Sequence, residues 1–133
     1  MQITRETDYA IRCVLHLSYS PDKVTMVDEI AKERKIPKSF LAKILQKLAR
    51  AKIVKSFRGI KGGFRLAKKP REITLLDVIE VIEGPVAMNK CAINKKICSL
   101  SNSCSVHPVW VEIRKDVEKR LRQQNFEKLI KVR

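Results

Sequence analysis

Apolar residues recur along this chain in two rhythms, one of three to four residues and one of two. Ala10, Cys13, Val14 and Leu17 fall at helical spacing behind Thr7 and Asp8, either of which can cap. A first helix is therefore expected from that point to about Tyr19, where Ser20-Pro21-Asp22 ends it. Val27, Ile30 and Ala31, with Asp28 and Glu29 in the first turn, predict a short second helix that breaks at Ile36-Pro37. From Lys38 to about Arg50 a third helix gathers Phe40, Leu41, Ile44, Leu45 and Leu48 on one broad face and leaves Lys38, Ser39, Lys43 and Lys47 to solvent. The rhythm then halves. Ile53 to Arg58 alternates like a strand, Gly59 to Gly63 turns the chain, and Phe64-Arg65-Leu66-Ala67 alternates back. Thr74 and Asp77 form an approximate capping box for a fourth helix through Leu76 and Ile79, stopped at Gly84-Pro85. Residues 86–106 keep no rhythm and read as a long stretch without secondary structure. Pro108 suits the first turn of a last, highly charged helix on which Trp110, Ile113, Val117 and Leu121 make a narrow apolar seam, the pattern of a dimer contact.

These elements predict a mostly α chain with a small β-hairpin: a winged helix-turn-helix over residues 1–84, a cysteine-bearing loop over 85–107, and a dimerisation helix with a C-terminal tail over 108–133. A chain of 133 residues has room for one modest core and no second full domain. Its formal charge of +15 calls for a polyanionic partner, and nucleic acid comes first. A membrane surface would attract the same charge, but no apolar run of about 18 residues and no lipidation signal is present. The first residues lack the apolar core of a secretory signal, so a cytoplasmic protein with reduced cysteines is expected. No phosphate-cradling glycine loop, nucleophile elbow or paired-histidine motif is found, which argues against an enzyme.

A lysine-bearing helix alone is commonly just a solvated face. Here it follows a short helix and a tight turn and precedes a glycine-rich hairpin with Arg58, Lys61 and Arg65, an ordered set that points to double-stranded DNA. Lys38, Ser39 and Lys43 are expected to meet phosphates or base edges in the major groove, and Arg58 and Lys61 to reach the backbone and a neighbouring minor groove.

The cysteines divide into one and three. Cys13 shares the core face of the first helix and reads as a small buried hydrophobe. Cys91, Cys98 and Cys104 lie in the irregular segment as Cys-x6-Cys-x5-Cys, with His107 three residues after the last. The surroundings hold too few apolar residues to build a core around three thiols, so a shared metal group explains them better. Structural zinc sites use tight Cys-x2-4-Cys knuckles, which are absent, whereas an iron-sulfur cluster held by three thiolates and a weaker ligand accommodates wide loops.

Several of these stretches are specific to one family. Thr7-Asp8-Tyr9-Ala10 in the first helix, Ser39-Phe40-Leu41 in the third and Arg58-Gly59-Ile60-Lys61-Gly62-Gly63-Phe64-Arg65-Leu66-Ala67 in the hairpin resemble the Rrf-two family of bacterial winged-helix regulators over nearly the whole chain. The three cysteines and His107-Pro108-Val109-Trp110 are most similar to its IscR type, which implies a homodimer with one cluster per subunit on a palindromic operator. In the IscR type a histidine at the His107 position completes a [2Fe-2S] site; in the NsrR type an aspartate at the Asp8 position, from the partner subunit, completes a [4Fe-4S] site. His107 and [2Fe-2S] are favoured, because His107 is near Cys104 in sequence, with Asp8 the alternative. The first cysteine gap is one residue longer than in the IscR type, and Ala42 replaces an acidic residue common there. Lys52 stands where the family usually has glycine, which costs about 1 kcal/mol if the position is left-handed.

The expected function is a DNA-binding regulator, repressor or activator, whose cluster senses cluster supply, nitric oxide or redox state. Two alternatives remain open at this point: a cluster-free winged-helix regulator answering to a metabolite or partner protein, and a small iron-sulfur electron-transfer protein whose basic surface docks an acidic partner.

Overall fold

A computed structural model describes residues 2–132 of the chain. Helix α1 (Arg5–Ser18) begins one turn earlier than expected, because Thr4 has the extended backbone a cap needs and its Oγ1 accepts from the Thr7 N–H at 3.2 Å. Thr7 is thereby drawn into the core, fully buried, and Asp8 faces solvent in the first turn. Helix α2 (Val27–Arg34) ends at Lys35, whose φ of 53° closes it in the left-handed region. After Ile36 and Pro37 the chain enters α3 (Lys38–Arg50), which buries Leu41, Ile44, Leu45 and Leu48 against α1 and α2. Phe40 does not join them. It is exposed and sets its ring edge-on to Tyr9 at 5.6 Å, since it lies just outside the arc α3 turns toward α1.

Lys52 has φ of 62°, so the chain reverses through a left-handed residue that is not glycine before the hairpin. Strands β1 (Val54–Phe57) and β2 (Gly63–Leu66) pair antiparallel, Val54 opposite Leu66 and Phe57 opposite Gly63. The hairpin is pinned to the helix-turn-helix by Thr25 and Phe64, which exchange two backbone hydrogen bonds of 2.8 and 2.9 Å. Helix α4 (Leu75–Glu83) carries the full capping box of Thr74 and Asp77 and stops at Gly84, whose φ is 84°.

Residues 86–106 are more ordered than their lack of periodicity suggests. They contain two short 3-10 turns, Lys90–Ala92 and Lys95–Ile97, and bury Val86, Ala92 and Ser101. The first turn is tied to helix α5 (His107–Arg122) by the Arg114 guanidinium, which donates to the Ala92 carbonyl at 2.8 Å. The expected tail contains another helix, α6 (Phe126–Lys131), capped by Asn125. Phe126 is completely buried in the main core, and its N–H donates to the Ile73 carbonyl at 3.0 Å. The core therefore sits among α1, α2, α3, α4 and α6 and takes in Val54 and Leu66 at the base of the wing, with the tip of the wing and the cysteine loop outside it. No helix among the described residues is long and apolar enough to cross a membrane.

Candidate nucleic-acid interface and metal centre

Helix α3 starts at Pro37, and no side chain caps its first turn, so its leading N–H groups are available to an anion. Lys38, Ser39 and Lys43 are all exposed, with Ser39 and Lys43 one helical turn apart on the same face. Lys38 is tied to Asp28 of α2 by an ion pair. Arg58 and Lys61 are exposed on the wing, and Arg58 lines an open groove together with Lys38, Asp28 and Gly59. The structure thus brings the helix and the wing arginine to one cleft. Lys47, expected in solvent, instead pairs with Glu6 at 2.7 Å and braces α3 against α1.

The wing holds cations beyond those expected to touch DNA. Lys55 and Arg65 are directly opposite across the strands, and both lie over the Phe57 ring, at 5.5 and 5.0 Å. Like charges facing each other are unfavourable, so an anion beside them would relieve the pair; the Arg65 Nε itself is buried without a hydrogen-bond partner. The two-residue period around Phe57 was the available signal for Lys55.

Arg12 and His16 also have partners far away in sequence. Arg12 donates to the Arg34 carbonyl at 2.9 Å and to Asp8 Oδ2 at 2.8 Å, so it satisfies the end of α2 and ties it to α1. His16 Nδ1 accepts from Arg34 Nε at 2.7 Å, which leaves the proton of the neutral ring on Nε2, 3.8 and 3.6 Å from Glu29 and Glu33. Burial first, and then the Arg34 charge, hold the imidazole below its ordinary pKa of 6.5 against the pull of both carboxylates. His16, Glu29 and Glu33 are the only three ligand side chains among the described residues whose ligand atoms lie within 4.8 Å of one another. With Arg34 on one nitrogen and Lys23 3.6 Å from Glu29, they form a closed ion network.

Burial pushes the Cys13 thiol up to about 12, so it stays protonated in the core, as its place on the helix predicted. Cys91 is half-buried and its thiol donates to Asn89 Oδ1 at 3.3 Å, while Cys98 and Cys104 are exposed; all are free thiols. Cys91, Cys98, Cys104 and His107 share the segment between α4 and the start of α5, but no three of them come within 4.8 Å. His107 is half-buried, and its Nδ1 is buried with no hydrogen-bond partner. Three thiols free of disulfides and an imidazole nitrogen without a partner, carried on one segment, form a donor set whose chemistry suits a thiolate-preferring metal group, so the residue types present fit a cluster. Asp8 differs, since Arg12 already occupies its carboxylate.

Residues 3–132 match the Rrf2 family of iron-dependent transcriptional regulators. The chain belongs to this family. It is 32% identical over 110 residues to the HTH-type transcriptional regulator NsrR of Halalkalibacterium halodurans, covering 82% of this chain and 72% of that one. In fold it superposes on CymR, the global cysteine regulator of B. subtilis, with a TM-score of 0.84 and 24% identity over 100% of this chain and 98% of that one. It also resembles the IscR of T. potens, with a TM-score of 0.76 and 24% identity over 98% and 87%. The Rrf2 proteins regulate transcription and are not enzymes. Membership also sets aside the electron-transfer reading.

In this Rrf2 chain the apolar seam of α5 is partly occupied from within. Val117 and Leu121 pack on a cluster of Leu76, Ile79 and Val86, so they hold α5 to α4. Trp110 and Ile113, toward the start of the helix, are half-buried, and Val106 and Val109 beside them are exposed.

Proposed function

We propose that this Rrf2 protein is a cytoplasmic, homodimeric DNA-binding regulator whose hold on a palindromic operator is set by an iron-sulfur cluster on Cys91, Cys98, Cys104 and His107. The buried, partnerless His107 Nδ1 on the same segment as three free thiols carries the cluster reading, and the iron dependence of the family supports it. [2Fe-2S] is favoured over [4Fe-4S], because Asp8, the alternative fourth ligand, would first have to leave Arg12. When bound, such a cluster supplies a centre that reacts to redox state, nitric oxide or cluster supply.

The chain's own residues divide the work. Lys38, Ser39 and Lys43 bind in the major groove, and Arg58 and Lys61 extend the contact along the wing. Arg114 ties the turn that carries Cys91 to α5, so ordering of the loop is felt at the helix whose Trp110 and Ile113 meet the second subunit. Residues 1–84 serve as the DNA-binding unit, 85–107 as the cluster loop and 108–133 as the dimerisation segment.

A second reading, a cluster-free regulator with redox-active thiols, is favoured by the spread of the sulfurs, which do not share one 4.8 Å site as a set of three. Anaerobic isolation with iron and acid-labile sulfide analysis separates the two. We expect bound iron, sulfide and visible absorption, lost in Cys91→Ser, Cys98→Ser and Cys104→Ser; a colourless, iron-free protein that still binds its operator supports the cluster-free reading. His107→Ala is expected to change the absorption and the paramagnetic resonance after reduction, while Asp8→Ala leaves them intact. The opposite result makes Asp8 the ligand.

A further inference from the structure

The end of the wing carries a large apolar side chain with nothing to pack on. Ile60 is 98% exposed, the most exposed large hydrophobic among the described residues. It stands in a tight turn closed by the Gly62 N–H donating to the Gly59 carbonyl at 3.0 Å, between the exposed Arg58 and Lys61. The turn is stiff. A side chain on Gly62 would strike the Phe57 carbonyl and one on Gly63 the backbone of Thr25, where the hairpin is pinned to the helix-turn-helix. Water gains nothing from an isoleucine held out on such a support, whereas the flanking cations are drawn to phosphate.

A DNA minor groove offers both chemistries: rows of phosphates on its two walls, and an apolar gap wherever a base step can be opened. Pyrimidine–purine steps open most easily. We propose that Ile60 is a wedge: with Arg58 and Lys61 on the groove walls, its side chain enters a pyrimidine–purine step under the wing, unstacks it and bends the duplex. The inference rests on the DNA-binding reading above. It makes Ile60 a specificity-determining residue, because the cost of unstacking depends on the step that is opened.

The test begins with selection of high-affinity duplexes from a random library by the full-length wild-type protein. The base step protected under the wing is then labelled with 2-aminopurine, and the bend is read by energy transfer between labelled duplex ends. Wild-type protein is expected to raise the 2-aminopurine fluorescence and bend the duplex. Ile60→Ala is expected to lose both signals and about tenfold in affinity for the selected site, with unchanged affinity for random duplex. Ile60→Met, which keeps an apolar tip, should retain most of each. Arg58→Ala differs by weakening the random duplex as well, and the selected duplex further, because a wing arginine in a narrow groove reads shape as well as charge.

If no duplex is enriched, the DNA-binding reading falls and the wedge with it. If duplexes are enriched but Ile60→Ala matches wild type in fluorescence, bend and affinity, the wedge alone is overturned. An affinity loss without any wild-type fluorescence change also overturns it, since Ile60 then touches the groove without opening a step. Loss of affinity for random duplex as well, or a change in sedimentation, would assign Ile60 to a protein contact instead.

Discussion

Lys52 holds a left-handed φ of 62° without the freedom of glycine. Lys52→Gly relieves that strain but loosens the unfolded chain, so a net gain of about 0.5–1 kcal/mol is expected in urea denaturation. No gain would mean that the side chain has contacts worth the strain. His16 gives a pH dependence. Its folded pKa lies below the ordinary 6.5, so between the two values the unfolded chain binds more protons, and stability rises with pH. The His16 contribution is complete above 6.5 and is lost as pH falls through that window toward the folded pKa. The urea midpoint of wild type should therefore fall further between pH 7.5 and 5.5 than that of His16→Gln. Equal falls would place the acid sensitivity on other groups.

Helix α6 has only six residues and cannot stand alone, yet it fills the core through Phe126. Phe126→Ala should cost about 3–5 kcal/mol, a large part of a small domain's stability. Thermal or urea unfolding measures this, and a loss under 1 kcal/mol would show α6 to be dispensable. Helix α3 invites a different measurement. Lys43 is exposed and unpaired among the described ion pairs, whereas Lys38 must leave Asp28 to reach a phosphate. Lys43→Ala should weaken binding to all sequences and reduce the salt slope by about one counterion. An unchanged slope would remove Lys43 from the interface.

Assembly is decided for the molecule as a whole. The seam of α5 was expected to face a partner along its length; Val117 and Leu121 also pack in part on α4, so in the proposed dimer Trp110, Ile113 and their exposed neighbours Val106 and Val109 are the side chains most open to a second copy. Ile113→Glu should bury an unpaired charge there, split the dimer in sedimentation and, through the loss of one half-site, weaken operator binding. A variant that remains dimeric places the contact elsewhere. Much of this molecule was legible in the order of its residues: the helix-turn-helix, the glycine-rich hairpin, the Thr74 capping box and the buried Cys13 each follow from spacing within a dozen or so residues, where periodicity and capping act. The cationic character of α3 and the wing is likewise a property of composition. Tertiary structure alone decided that Lys47 meets Glu6, that His16 meets Glu29, Glu33 and Arg34, and that Phe126 completes the core. Each of these pairings joins segments whose separation along the chain carries no periodic signal, because burial and ion pairing depend on which helices pack together and not on local spacing.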